Sequence, residues 1–320
     1  MARIEDYALI GDCVSAALVS RQGSIDWLCW PRFDSGACFA ALLGTSDHGH
    51  WRIAPDDHAF ESSRAYQGPT MILATTYRTS AGAAELIDFL VPGAPEPTLV
   101  RIVRGVEGEV AMTSEFIVRF DYGLTVPWVA RGPHHELLAT AGPTKLVFRT
   151  HAHSVGRNMR TLSHFKIVAG ERMAFVLQCV PSVAEIPRAC DPEDALERTR
   201  KFWTHWAATC RDDIPWFDAV QRSLLTLKAL TFAETGGRGK GGDGGQFGEF
   251  PDQAFEDAVE MFRGQRRCIR RAWHGRQEFL QPPPAASDSI VGYVYLVESL
   301  GSAFVVDQRA VGLGESGGRQ

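Results

Sequence analysis

The sequence predicts a fold that is mainly β and then α: an N-terminal two-sheet antiparallel β-sandwich followed by helices. Three observations predict it. Up to about residue 188, short apolar runs alternate with turn residues and almost no helical period is present, which is typical of antiparallel β-structure. From Asp191 to about Phe232 the apolar period becomes helical. After residue 235 a glycine-rich tract begins, to which we assign no regular structure.

Three pairs of apolar runs in the first region have the spacing of β-hairpins. In each pair a short stretch that contains glycine separates two runs of strand-forming residues. The pairs are residues 70–79 with 83–90, 99–106 with 110–120, and 162–169 with 173–180. Strands of this length that recur with turns between them favour a two-sheet sandwich.

One short helix is predicted to interrupt the strands. Asp34 or Ser35 would cap its N-terminus and Gly44 would end it. Its buried side would carry Phe39, Leu42 and Leu43.

Two longer helices are predicted beyond Asp191. Asp191 is the expected N-cap of the first, with Pro192 at the first helical position and the acidic Glu193 and Asp194 in the first turn, where they complement the helix dipole. The apolar stripe of this helix comprises Leu196, Thr199, Trp203, Trp206 and Cys210. The second helix is expected to start near Pro215 and to carry on one face Trp216, Val220, Leu224, Leu227 and Leu230. Both stripes require an apolar partner surface.

The composition is that of a folded chain: 320 residues, 45% apolar, 22% charged, with a net charge of −5. This mildly acidic balance gives no chain-wide attraction to phosphate backbones or anionic lipid, so we expect neither a nucleic acid nor a membrane as partner. Seven cysteines without a CxxC pair fit a reducing compartment. Because the N-terminus lacks the apolar core of a signal peptide and no run of about 18 residues is apolar throughout, we expect a cytoplasmic protein.

Residues 4–35, IEDYALIGDCVSAALVSRQGSIDWLCWPRFDS, followed by ACFAALLG and GHWRIAP, resemble the start of the bacterial glucoamylases and trehalase-like proteins of glycoside hydrolase family 15. The resemblance continues through LIDFLVPG, LVRIVRGVEGEV, IVRFDYG and VPWV to the helical segments FWTHWAATC and RSLLTLKALTF. It covers residues 1 to about 235 with little interruption. Such long ordered agreement is more specific than any single motif in this chain.

The resemblance implies a trehalase-like β-sandwich at residues 1–188, a linker helix within 189–214 and the first helix of an (α/α)6 barrel within 215–235. It also implies hydrolysis of an α-glucosidic bond with inversion, by two glutamates in barrel loops. One carboxylic acid protonates the leaving oxygen while an ionised partner activates water, so the two groups need a separation of roughly 6.5 to 9.5 Å and different pKa values. The expected substrate is an α-glucoside or oligosaccharide, with no cofactor and no metal.

The resemblance stops after residue 235. The family continues with a threonine-rich stretch and then a segment of tryptophan, aspartate, tyrosine and arginine that lines the glucose subsite, whereas this chain has GGRGKGGDGGQFGEF. Twelve helices of about 12 residues with loops of about 5 need roughly 200 residues, and only about 100 follow Pro215. We therefore expect an incomplete barrel, with residues 236–320 a disordered, truncated, rearranged or out-of-frame tail, and we assign no catalytic residue.

The segment 23–35 is the main candidate for contact with a sugar. It concentrates in one loop Asp26, Trp27, Trp30, Arg32 and Asp34. Aromatic faces stack on the apolar side of sugar rings, while aspartate and arginine hydrogen-bond hydroxyl groups. The structural alternative, which we prefer, places both tryptophans in the core, makes Asp34 an N-cap and pairs Arg32 with a neighbour. A sugar contact here would lie at the edge of a pocket that the barrel supplies.

Other polar residues are assigned structural roles. Asp88 and Asp121 are predicted to stabilise turns at strand ends through local hydrogen bonds to the backbone. Glu249 and Glu256 are assigned to a solvated helix face because no motif surrounds them. Three histidine pairs are predicted to be surface residues, since no third ligand lies at a zinc-site spacing. The pairs are His48 with His50, His134 with His135, and His151 with His153.

Two basic motifs in the tail are rejected as binding sites. The GGRGKGG segment is no phosphate loop, because Gly241 follows Lys240 where serine or threonine is required and a helix precedes it. The arginine cluster at 263–271 is assigned to a solvated or out-of-frame stretch rather than to nucleic-acid binding.

Two functional hypotheses remain open. The first is an α-glucoside hydrolase of the glucoamylase or trehalase type. The second is a non-catalytic β-sandwich remnant, or a carbohydrate-binding or interaction module. For the chain as given we favour the second hypothesis and expect no activity. We still assign the chain to the hydrolase family of the first hypothesis. Without barrel neighbours the second helix would expose its apolar stripe, so we expect self-association.

Overall fold

The computed structural model describes residues 3–57, 59–210 and 216–233, all of which belong to one compact unit. No helix in these ranges is long and apolar enough to cross a bilayer. Several features that the sequence singled out lie outside the described residues: Pro215, the glycine-rich tract, Glu249, Glu256 and the arginine cluster.

Fifteen strands and two α-helices are present in the described ranges. In chain order they are β1 Tyr7–Gly11, β2 Ala16–Ser20, β3 Ser24–Cys29, β4 Ala37–Phe39, β5 His50–Pro55, β6 Glu61–Tyr66, β7 Leu73–Thr79, β8 Gly82–Leu90, β9 Thr98–Ile117, β10 Trp128–Arg131, β11 Leu137–Ala141, β12 Thr144–Thr150, β13 Ser154–Arg157, β14 Arg160–Val168, β15 Arg172–Pro181, α1 Pro192–Ala207 and α2 Phe217–Ala229.

The strands form two antiparallel sheets that share one long strand, β9. Sheet A has the order β1-β2-β3-β5-β9-β14-β13, with β4 also paired to β3, and sheet B has the order β6-β7-β8-β9-β15-β12-β11-β10. Their facing sides enclose an apolar core that includes Trp51, Phe116 and Phe148. The predicted sandwich is confirmed.

The predicted hairpin of residues 99–106 with 110–120 is wrong, because β9 runs without reversal from Thr98 to Ile117. Its first half pairs with β8 and β15 in sheet B, and its second half with β5 and β14 in sheet A. At the crossing, a Cβ on Gly105 would lie 2.0 Å from the carbonyl oxygen of Val168. Because position 105 is a glycine, the backbone of Val168 can approach β9 closely where this strand passes from sheet B to sheet A.

The predicted hairpin of residues 162–169 with 173–180 is also wrong. β14 and β15 follow each other along β9, both antiparallel to it, one in each sheet. Between them Gly170 donates its N–H to the carbonyl oxygen of Gly105, and Ala169 donates to that of Gly108, both at 3.0 Å. The chain thus changes sheet without reversing direction. The third predicted hairpin, β7 with β8, is confirmed.

The short helix predicted after Asp34 is absent from the described residues. Strand β4 and a 3-10 turn at Ala41–Leu43 replace it. Phe39 pairs with Leu28 of β3 and is buried, whereas Leu43 is 65% exposed. Strand pairing and burial of Phe39 therefore override the local helix signals.

Helix α1 begins as predicted. The Asp191 carboxylate accepts hydrogen bonds from the backbone N–H of Glu193 at 3.0 Å and of Asp194 at 2.9 Å. The buried side comprises Ala195, Leu196, Thr199, Trp203 and Ala207. It covers the outer face of sheet B, where Leu196 packs in one cluster with Phe89 and Val100. The central strands of sheet B, β8, β9 and β15, are consequently apolar on both faces.

The apolar stripe predicted for α2 is not the side that the sandwich buries. Its buried residues are Leu225 and Ala229, and Trp216 is 80% exposed. The rest of the predicted stripe, Val220, Leu224, Leu227 and Leu230, is half-buried. Ala229 lies against Gly11 of β1, and Arg222 contacts the β6–β7 loop.

Asp88 does not stabilise a turn. It lies within β8, is fully buried and pairs with Arg101 of β9, with 2.7 Å between Oδ1 and Nε. Asp121 does lie in a turn, as predicted, but its carboxylate accepts a hydrogen bond from the Thr125 hydroxyl rather than from a backbone amide.

One predicted surface histidine is wrongly placed. His50 is only 5% exposed, and its Nε2 lies 3.3 Å from Glu115 Oε2. The His134, His135, His151 and His153 side chains are exposed as predicted, and His48 is half-buried. No group of three metal-ligating side chains occurs within the described residues.

Candidate functional site

Asp26 and Trp27, which were predicted to lie in a loop, belong to strand β3 and make internal contacts. Asp26 is half-buried, and its carboxylate accepts hydrogen bonds from the Tyr7 hydroxyl, at 2.5 Å, and from the Ser24 hydroxyl. Burial, with this hydrogen bond, raises the pKa of Tyr7. The Trp27 ring packs against that of Tyr122, with 6.0 Å between centroids. Both β3 side chains therefore help to join neighbouring elements of the sandwich.

The other three predicted residues lie in the β3–β4 loop. Trp30 is buried in the core, and its indole N–H has no hydrogen-bond partner among the described residues. Arg32 is exposed and pairs with Asp34, with Nε and Nη2 at 3.1 and 3.2 Å from its two oxygens. The Arg32 guanidinium also lies 4.6 Å from the ring centroid of Phe232, just after α2. These contacts agree with the structural alternative for Trp30 and Arg32, but Asp34 caps no helix.

The contact with Phe232 belongs to a larger surface that holds α2. We call it the helix-holding surface and define it as strand β1, the β1–β2 turn at residues 12–15, the β3–β4 loop at 30–36 and the β6–β7 loop at 67–72. Sequence reasoning identified only its β3–β4 part.

The β1–β2 turn contacts the end of α2 through its backbone. The Asp12 carboxylate accepts hydrogen bonds from the N–H groups of Val14 at 2.9 Å and Ser15 at 2.7 Å, which fixes the turn. The carbonyl oxygen of Cys13, a residue with φ of 69°, then accepts a hydrogen bond of 2.8 Å from the N–H of Ala233. Burial raises the pKa of Asp12 to about 6.

Strand β1 and helix α2 approach closely at two small residues. A Cβ on Gly11 would lie 3.0 Å from the Cβ of Ala229 and 3.3 Å from its carbonyl oxygen. A larger side chain at either position would therefore separate the helix from the strand.

The β6–β7 loop binds both helices through arginines. Arg222 of α2 donates hydrogen bonds to the carbonyl oxygens of Thr70 at 2.7 Å and Gly68 at 2.9 Å. Its guanidinium also lies 4.0 Å from the centroid of the Tyr66 ring. Burial lowers the pKa of Arg222. In α1, Arg200 donates to the side-chain oxygen of Gln67 at 3.1 Å.

Tyr66 connects this loop to β1. Its hydroxyl donates to the carbonyl oxygen of Leu9 at 2.7 Å, and the Leu9 N–H donates to the Tyr66 hydroxyl oxygen at 3.1 Å. The helix-holding surface is thus one network from the first strand to α2. Arginine side chains, backbone carbonyl groups and close apolar contacts hold α2 in place on this surface.

Sequence reasoning missed Gly11, Tyr66 and Arg222. An arginine among the leucines of RSLLTLKALTF suggests a solvated position, and no local pattern shows that it reaches carbonyl oxygens about 150 residues away. The Gly11–Asp12 pair after an apolar strand was a usable turn signal.

Three comparisons place this chain among known proteins. The family model described as "Trehalase-like, N-terminal" matches residues 1–178. A trehalase of Mycolicibacterium smegmatis is 31% identical over 265 residues, covering 73% of this chain and 39% of the relative. Trehalase 1 of Sulfolobus acidocaldarius is 36% identical over 131 residues, which are 41% of this chain and 22% of the relative. The chain therefore spans about two fifths of the length of the mycobacterial relative.

A solved structure shares the fold. The crystal structure of a bacterial glucoamylase complexed with acarbose aligns with a TM-score of 0.52 at 9% identity and covers 71% of this chain and 40% of that chain. At this identity the likeness concerns the fold alone. It supports the order seen here, a β-sandwich followed by helices.

Proposed function

The chain belongs to the trehalase-like N-terminal family, and on that premise we propose that it is the sandwich-and-linker portion of a glycoside hydrolase of the trehalase and glucoamylase type. The proposed reaction is hydrolysis of an α-glucosidic bond. Because the relatives named above are trehalases, trehalose is the first substrate to test.

The sandwich has a positioning role in this proposal. We take α2 to be the first helix of the catalytic barrel, and the helix-holding surface then fixes where the barrel starts. The observation that carries this step is the contact of Arg222 with Thr70, Gly68 and Tyr66, because it joins α2 to two elements of the sandwich at once.

The reaction itself requires a proton donor and a base. Inverting hydrolysis needs one protonated and one ionised carboxyl group on opposite sides of the sugar, roughly 6.5 to 9.5 Å apart. We propose that both belong to barrel loops beyond the helix-holding surface, and that Arg32 and Asp34, beside Phe232, lie at the edge of that site. Alone, this chain would then lack the catalytic pair.

We also propose a reducing, cytoplasmic location. Four cysteines, Cys13, Cys29, Cys38 and Cys179, are buried as free thiols, and burial raises the pKa of each. A raised pKa keeps them protonated and unreactive, as in a structural role.

Glucose release tests the proposal. The purified 320-residue chain is incubated with trehalose, maltose and isomaltose, with the M. smegmatis trehalase as positive control. We expect no glucose above the blank. Turnover that is lost when one carboxylate of this chain is neutralised would overturn the proposed incompleteness, because it would locate a catalytic group within the chain.

A further inference from the structure

A second region of the sandwich has the features of a ligand site. A cavity of about 340 Å³ lies where the two sheets separate, at the end formed by β10–β12 of sheet B and the β13–β14 hairpin of sheet A. It is lined on one side by β-strand residues of the core and on the other by residues 156–161. None of the elements of the helix-holding surface lines it.

The floor of the cavity is apolar. Phe116 and Phe148 stack there with 4.7 Å between ring centroids, and Leu146 and Ala139 complete the surface. The rings could stack against a sugar, but these four floor residues offer no polar side chain to its hydroxyl groups, and leaving those groups unpaired costs free energy. A hydrocarbon chain has no such cost. The floor therefore favours an aliphatic group.

The mouth of the cavity is positively charged. Arg119, Arg157 and Arg160 line it, and no acidic residue is among the lining residues. Glu115 neutralises part of this charge, since Arg160 donates to its Oε1 at 2.7 Å. Arg157 is exposed and makes no ion pair within the described part of the chain. Asp47 acts on Arg119, whose Nη1 donates to the carbonyl oxygens of Val118 at 2.7 Å and Met159 at 3.3 Å. Three arginines against Glu115 and Asp47 leave an excess of positive charge at the mouth.

We propose that this cavity binds a monocarboxylate with a single aliphatic chain, its carboxylate between Arg119 and Arg157 and its chain on the Phe116–Phe148 floor. The volume is in the lower part of the range for small-molecule pockets, which suits one unbranched chain of about ten carbons. Arginine is suited to the head group because its planar fork of donors matches a carboxylate. The site is independent of the proposed hydrolase function.

Isothermal titration of the full chain tests the site. The probe is decanoate; decanol has the same chain without the charge, and acetate has the charge without the chain. We expect decanoate to bind with a stoichiometry of one and at least about tenfold more tightly than either comparator. Absence of decanoate binding, or equal affinity for decanol, would overturn the proposal.

Three variants locate the binding. Arg157→Gln should weaken decanoate binding about fivefold, and Ala139→Leu should abolish it by filling the floor. The control is Arg78→Gln on β7, an exposed arginine outside the cavity lining, which should change nothing. If Ala139→Leu fails to fold, Arg157→Gln, which changes an exposed residue, still tests whether decanoate binds in this cavity. If Arg157→Gln and Arg78→Gln change the affinity for decanoate equally, this result would contradict the proposed location of the binding site.

Discussion

Asp88 and Arg101 form a fully buried ion pair that joins the two sheets. Arg101 Nε lies 2.7 Å from Asp88 Oδ1 within sheet B. The same guanidinium donates to the carbonyl oxygens of Trp51 of sheet A, at 2.5 Å, and of Gly23, just before β3 of sheet A, at 2.7 Å. Gly23 is required there, because with its φ of 70° any Cβ would lie 2.0 Å from the Tyr77 hydroxyl oxygen. Both side chains thereby have hydrogen-bond partners within the protein.

Removing one partner should destabilise the sandwich strongly. Asp88→Ala leaves the Arg101 charge buried and unpaired, so we expect a loss of about 3 to 5 kcal/mol in the free energy of unfolding. Urea denaturation measures it. The control is Glu107→Ala at an exposed position of β9, which should cost less than about 0.5 kcal/mol. A loss below about 1 kcal/mol in Asp88→Ala would show that the pair is not needed.

The attachment of α2 should depend on Arg222. Arg222→Met keeps much of the side-chain volume but removes the hydrogen bonds to Thr70 and Gly68, so we expect a loss of about 2 kcal/mol. Limited proteolysis should cut α2 faster in this variant. Arg198→Met, at an exposed position of α1, is the matched control. Equal cleavage rates in the two variants would contradict the role of Arg222.

The His50–Glu115 pair should make stability depend on pH. Burial lowers the pKa of His50, but hydrogen bonds to Glu115 and to the carbonyl oxygen of Ser46 outweigh it, so the pKa is raised above 6.5. The hydrogen bond with His50 lowers the pKa of Glu115 from 4.5 to about 2, and the hydrogen bond with Arg160 acts in the same direction. His50 therefore stabilises the fold fully below about pH 6.5 and loses this contribution as pH rises through its folded pKa.

Glu115 acts in the opposite direction. Its contribution is present above its unfolded pKa of 4.5 and is lost as pH falls through about 2. Between these limits both groups are charged, so His50→Gln should cost more free energy of unfolding near pH 5.5 than near pH 8.5. Urea denaturation at both pH values measures the difference. His153→Gln is an exposed control. A cost of His50→Gln that is the same at both pH values would refute the linkage.

Self-association should involve the start of α2. Trp216 is 80% exposed and is the residue of the predicted stripe that the sandwich leaves largely uncovered. We expect sedimentation velocity to show concentration-dependent association that Trp216→Ser reduces. Trp128→Ser on β10, at a 78% exposed tryptophan, should leave association unchanged. A monodisperse monomer of the unmodified chain would rule out this prediction.

Local signals were sufficient where the structure is local. The β7–β8 hairpin and the Asp191 cap depend on neighbouring residues and were predicted correctly. The course of strand β9 could not be predicted from the sequence. Alternating apolar residues around Gly105 and Gly108 suit both a hairpin and a strand that passes between two sheets. Only the partners on either side, β14 and β15, distinguish the two.

In the candidate site, too, local sequence patterns identified some residues but not the contacts between distant parts of the chain. Sequence reasoning identified Arg32 and Trp30 from composition, and the structure gives them neighbours in the loop, the core and the end of α2. It could not identify Arg222 or the small-residue contact of Gly11 with Ala229, since these depend on how α2 is rotated. Leucines occur on several sides of that helix, so periodicity alone did not fix its buried face.

The most direct test of the central claim, that this sandwich positions the first barrel helix of an α-glucoside hydrolase, is a chimera. Residues 1–233 replace the matching N-terminal part of the M. smegmatis trehalase, and glucose release from trehalose is measured with and without Arg222→Met. We predict turnover in the chimera, with kcat reduced about tenfold by Arg222→Met because the barrel is misplaced, and unchanged by Arg198→Met. A chimera that folds but releases no glucose, or one that is indifferent to Arg222→Met, would contradict the claim.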